Sequence, residues 1–81
     1  MAATLYKVNV VGSQKDRIVV DAATGTTSTF TLVDKPNVYS ISVSNLTAAR
    51  AHTVGYVQST GVVTVGGLTG SDSIFYVIRT D

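Results

Sequence analysis

VYSISVSN, residues 38–45, alternates without a break: Tyr39, Ile41 and Val43 fall on one side, Ser40, Ser42 and Ser44 on the other. A period of two marks a half-buried strand, with one face on a core and one in water. The same period recurs in both directions from this stretch. Tyr6, Val8 and Val10 alternate with Lys7 and Asn9, and Phe30 and Leu32 alternate with Thr29 and Thr31. Such runs predict strands over 4–11, 17–21, 27–33, 38–44, 52–59, 61–66 and 73–80. Between them stand Gly12-Ser13 with Lys15-Asp16, Thr24-Gly25-Thr26, Asp34-Lys35-Pro36-Asn37, Thr60-Gly61 and Gly70-Ser71-Asp72, residues that turn a chain. The expected fold is therefore all-β, a small antiparallel β-sandwich or β-barrel of about seven short strands, in a single domain over 1–81. Only LTAARAH, residues 46–52, has room for a helical turn.

The decisive stretch runs into an echo. VSNLT at 43–47 returns as VGGLT at 65–69, each preceded by a strand pair, Ile41-Ser42 or Val63-Thr64. Each copy reads as strand, bend, a leucine tucked under the sheet edge, then a crossover. Two copies are too few for a solenoid. The connections are similar to the leucine-containing ones of fibronectin type III and immunoglobulin-like domains. Fibronectin type III places a corner tyrosine six residues after the leucine; here His52 and Ile74 stand there instead.

Composition narrows the functional classes. Charged residues make up 14% of the chain, glutamate is absent, and serine and threonine together number 20. Average soluble proteins carry about 25% charged residues. Hydroxyls keep a surface polar yet cost far less to desolvate than ions, which suits a surface partly covered by protein. The net charge is +1, with basic residues scattered from Lys7 to Arg79. A nucleic-acid binder concentrates basic side chains on one face, so nucleic acid is an unlikely partner. Lys15-Asp16-Arg17 and Asp34-Lys35 each mix signs and read as solvated turns. The N-terminal stretch has neither a basic n-region nor an unbroken apolar run, so no signal peptide or membrane span is expected. With no cysteine and few residues, association is an expected source of stability.

Chemistry is sparse. His52 is the single histidine, and nothing in the sequence places Ser13, Asp21 or Asp72 beside it. Acid–base catalysis needs an oriented, sheltered titrating group. A core filled by seven strands is expected to leave little room for a cleft of about 300 Å³ or more. The reading is a non-enzyme without cofactor or metal: there is no calcium-loop pattern, and one histidine without cysteine makes no zinc site. GGLTGS at 66–71 lacks the Gly-Lys-Ser/Thr ending of a phosphate loop. Aromatic side chains are expected mainly in the core: Phe30, Tyr39 and one of the adjacent Phe75 and Tyr76, the other pointing to the opposite face.

That second face carries the functional reading. SIFYVIRT at 73–80 is apolar on both sides, and so is the first strand, where Leu5-Tyr6 and Val10-Val11 offer side chains to both faces. Strands apolar on both faces are buried on both sides, which in a lone sandwich points to contact between subunits. The expected contact residues are Leu5, Tyr6 and Val11 at the start and Phe75, Tyr76, Ile78 and Arg79 at the end, with Arg50 as a polar anchor.

Across its length this cysteine-free, charge-poor, Ser/Thr/Val-rich layout resembles the small structural proteins of tailed bacteriophages, and among them the capsid decoration, or cement, proteins. The resemblance implies a virion protein assembled in the host cytoplasm. Its partners would be itself, as a homo-oligomer such as a trimer, and the major capsid protein or another virion protein, with no membrane partner. A tail, neck or fibre component, or a small sugar- or nucleic-acid-binding β module, is the alternative.

Overall fold

Strands form where the period-two runs stand. The computed structural model describes residues 3–81, with β1 (Thr4–Val11), β2 (Gln14–Ala22), β3 (Ser28–Thr31), β4 (Val38–Asn45), β5 (Val54–Val57), β6 (Val62–Val65) and β7 (Ser73–Thr80). No helix occurs among the described residues; 46–53 is a crossover of irregular backbone. The strands make two antiparallel sheets, one ordered β1-β2-β7-β4 and the other β3-β6-β5. Neither closes on itself, so the fold is a sandwich and not a barrel.

The core lies between the sheets. Ile74, Tyr76 and Ile78 of β7 and Val19 of β2 face Val63 and Val65 of β6, while Ala23, Leu32 and Leu68 plug the ends from the connections. Val38, Ile41 and Val43 of β4, Phe30 and Tyr56 pack around them. An immunoglobulin constant-type sandwich would order its sheets first-second-fifth-fourth and third-sixth-seventh. Here the fifth and seventh strands have exchanged sheets. The four-residue turn at 58–61 keeps β5 beside β6, and the connection after β6 crosses to deliver β7 into the middle of the other sheet.

Three expectations need correction. Tyr39 is not in the core: the ladder between β4 and β7 slips between Val38 and Ser40, so Val38 joins Ile41 and Val43 inside while Tyr39 is 56% exposed. One inserted residue reverses the phase of everything before it. Lys15, Asp16 and Arg17 do not form a turn, because Gly12, at φ +63°, and Ser13 complete the hairpin alone. Those three lie in β2, where Asp16 meets Arg79 and Arg17 reaches Asp34.

The echoed connections do both cross between sheets, β4 to β5 and β6 to β7, but only one leucine is a plug. Leu68 is 4% exposed and Leu46 is 70% exposed. The neighbouring residues explain the difference. Gly66 and Gly67 let the 51–53 backbone lie directly over the bend: a Cβ at Gly66 would stand 2.5 Å from Thr53 Oγ1, and one at Gly67 2.6 Å from the Ala51 carbonyl. Asn45 instead turns the chain with its side chain, Oδ1 accepting from the Thr47 and Ala48 amides at 2.9 and 3.0 Å, and Leu46 swings outward. Leu68→Ala is therefore expected to destabilise the fold by about 2–5 kcal/mol. Leu46→Ala is expected to stay within about 0.5 kcal/mol of the parent. Urea unfolding of the two variants checks the contrast.

Candidate functional site

The outer face of the four-stranded sheet carries a groove of about 540 Å³. It is larger than a chain of this size was expected to hold, because it is built outside the core. Register explains its apolar character: Val20 lies opposite Phe75 and Ile18 opposite Val77, all on the side of β2 and β7 that faces away from Val19 and Tyr76. The ladder between β1 and β2 slips between Leu5 and Lys7, and the inserted Tyr6 lines the groove beside Ile18 and Val20. Leu46, turned outward by Asn45, forms a wall at the end of the sheet with Ser73. Along the far side Ser40, Ser42 and Ser44 pair in register with Arg79, Val77 and Phe75 and border the apolar strip with hydroxyls.

A buried carboxylate holds that wall in place. Asp72 is 2% exposed, and its Oδ2 accepts from the Thr69 amide at 3.0 Å, Asn45 Nδ2 at 3.1 Å and Arg50 Nε at 3.1 Å. The Thr69 amide foremost, then Asn45 and Arg50, outweigh burial and lower its pKa, so the carboxylate stays ionised. Around it Leu46 donates its amide to the Ser73 carbonyl at 2.8 Å, and the Ser73 amide donates to Thr47 Oγ1 at 2.9 Å. Both echoed connections thus meet at one residue.

The expected contact residues separate into four groups. Tyr6 and Phe75 come together in the groove. Leu5 and Val11 are exposed on β1 but lie outside it. Tyr76 and Ile78 have no exposed surface and belong to the core, the inward half of the alternation in which Phe75 points outward. The two arginines are committed within the chain. Arg50 is bound to Asp72, and Arg79 grips Asp16 through Nε at 2.8 Å and Nη2 at 3.0 Å. Sequence reasoning missed Ile18, Val20 and Leu46. The signal was present in IVV at 18–20, which is apolar on both faces like the terminal strands.

Titrating side chains elsewhere are engaged in structure. His52 donates from Nδ1 to the Gly66 carbonyl at 3.2 Å and ties the crossing segment to the end of β6. Asp21 accepts from Ser28 Oγ at 2.5 Å, and Tyr76 Oη lies 3.4 Å from the same hydroxyl. Burial raises the Tyr76 pKa. Among the described residues no three His, Cys, Asp or Glu side chains gather as metal ligands. Comparison with family models, with curated proteins and with solved structures finds no match for this chain.

The paired carboxylates define a pH response. Arg17 holds Asp34 through two hydrogen bonds, at 2.8 and 2.7 Å, and lowers its pKa from 3.8 to about 2. A depressed folded-state value means that this contribution is full above about pH 4 and is lost as pH falls through about 2. The Asp34 side chain is 53% exposed, so its share is at most about 1 kcal/mol. Thermal melts of Asp34→Asn between pH 5 and pH 2 should show a shallower loss of stability than the parent, with the two curves converging at the acid end.

Proposed function

We propose that this chain is a non-enzymatic structural protein that attaches to a larger protein assembly through the outer face of its four-stranded sheet. The particular case we infer is a virion decoration protein that binds and stabilises a capsid shell. The observation that carries the reading is the groove between Tyr6, Val20, Leu46 and Phe75, open on a face where a small sandwich ordinarily presents polar side chains to water. Aromatic anchors in an apolar recess, rimmed by groups that desolvate cheaply, are the usual composition of a binding hot spot. The serine ladder of β4 supplies that rim.

The mechanism is binding without a bond-making step. A side chain from the partner fills the groove, the hydroxyl rim exchanges water for partner groups, and the occupied shell is stabilised by mass action. Repetition over a symmetric shell turns modest contacts into avid attachment. A tail, neck or fibre component would use the same face, and a sugar or single-stranded nucleic acid would stack on Tyr6 and Phe75.

Co-sedimentation separates these cases. The protein is expected to pellet with emptied capsid shells from a panel of tailed phages, and Tyr6→Ser and Phe75→Ser should each weaken attachment about tenfold or more. Pelleting with isolated tails instead of shells would assign it to the tail. Quenching of tyrosine fluorescence by oligosaccharide or single-stranded DNA, without pelleting, would overturn the structural reading.

A further inference from the structure

The two sheets differ by one strand, and the mismatch has a definite place. Ser28, where β3 begins, donates to Asp21 near the end of β2, so β3 lies over β2. Tyr56 of β5 donates its hydroxyl at 2.7 Å to the carbonyl of Pro36, just before β4. The order β3-β6-β5 therefore covers β2, β7 and β4, and no described strand covers β1. The result is a step. Its floor is the inner side of β1, where register sets Leu5 opposite Val19, Val8 opposite Arg17 and Val10 opposite Lys15; its wall is the edge of β3 with the half-buried Phe30. Every residue of β1 is exposed, Val8 at 42% and Val10 at 71%.

We propose that a second copy of this chain fills the step, two molecules interlocking about a two-fold axis that runs along the strands. The overhang and the vacancy are the same feature seen from two sides. When β1 of the partner lies beside β3 and over β1, β1 of the first copy necessarily lies beside β3 of the partner. The contact is isologous and closes at two, without a free end to add a third molecule. Each layer then runs through seven strands, four from one copy and three from the other.

Area favours this arrangement over pairing of the β1 edges alone. A stable pair buries about 800 Å² on each partner, here roughly a sixth of the 4589 Å² of surface. Edge-to-edge pairing covers one rim and leaves Leu5, Val8 and Val10 wet. The interlocked pair covers a face and two rims of each copy. The inner side of β1 is itself uncharged, since Lys7, opposite Ile18, and Asn9, opposite Asp16, point to the other side; beside it on β2, Arg17 opposite Val8 is neutralised by Asp34, and Lys15 stands opposite Val10. The slip at Tyr6 and the outward Lys7 discourage open-ended edge pairing over the first half of β1, while Val8 to Val11 keep a regular ladder that matches the four residues of β3. Neither obstructs the inner face.

Because the axis passes between the stacked β1 strands, Val8 of one copy faces Val8 of the other. This gives a test by charge exchange, read by light scattering over a dilution series. The parent is expected at twice the mass of the chain. Val8→Asp and Val8→Lys should each raise the dissociation constant at least about 100-fold while keeping the parent's circular dichroism spectrum, since Val8 stands outside the core cluster. Mixing the two variants should restore the pair. Tyr6→Ser, on the outer face, should leave it intact, so pairing and shell attachment can fail independently. A parent that is monomeric at every concentration, or a trimer, would overturn the proposal. So would a Val8→Asp variant that stays paired, or a mixture that does not recombine.

Discussion

Asp72 is a charge with almost no access to water, placed where the two sheets are stitched together. An ionised carboxylate is tolerated in such a position only when its hydrogen-bonding capacity is met by oriented donors. Here the donors come from three separate pieces of chain: Asn45 at the end of β4, Arg50 in the crossing to β5, and Thr69 in the crossing to β7. The Asp72 carbonyl also accepts from the Ala23 amide at 2.7 Å, and Ser71 donates its own amide back to the Ala23 carbonyl at 2.7 Å. Three of the four passages between sheets are thereby tied at one end of the sandwich. The exchange of β5 and β7 relative to an immunoglobulin order depends on this knot, because a connection that crosses needs anchoring that a hairpin supplies by itself.

The other constraint is numerical, three strands set against four. The strand left over must be an edge strand, and β1 meets water on both faces while carrying Leu5, Tyr6, Val8, Val10 and Val11. Both edge strands of the larger sheet are interrupted by a ladder slip at a tyrosine, Tyr6 in β1 and Tyr39 in β4. In each case the slip turns the ring outward, and it breaks the regular edge that another chain would template on. The same irregularity that limits edge pairing supplies the aromatic side of the groove.

The strand positions were legible in the sequence because period two is a local property, and six of the seven predicted strands begin within two residues of the observed ones. The exception, β2, starts three residues early because a turn of only two residues suffices when Gly12 takes positive φ. What local periodicity does not encode is phase. Tyr39 continues a perfect alternation in the sequence and still points outward, since the slip is decided by the partner strand. Long-range polar pairing is equally hidden: Asp16 and Arg79 are 63 residues apart and become neighbours only through the β2–β7 register. The groove was missed for the same reason. Its walls come from β1, β2, β7 and the connection after β4, and no single stretch announces it.

Two apolar surfaces on one small domain raise the question of why they do not aggregate indiscriminately, and their chemistry gives an answer. The step, with Leu5, Val8 and Val10 on its floor and Phe30 in its wall, would in the proposed pair be buried only where a matching step fits it across the two-fold axis. The groove is lined by Tyr6 and Phe75, by Ile18 and Val20, and by Leu46 on an anchored connection, and is bordered by serine hydroxyls that remain content in water when nothing is bound. A charged rim would protect such a groove more strongly, but every ion would have to be desolvated or paired on docking. Hydroxyls give weaker protection and a far smaller penalty. Across the chain, 14% charged residues and 20 serine and threonine side chains give a polar surface that is cheap to desolvate.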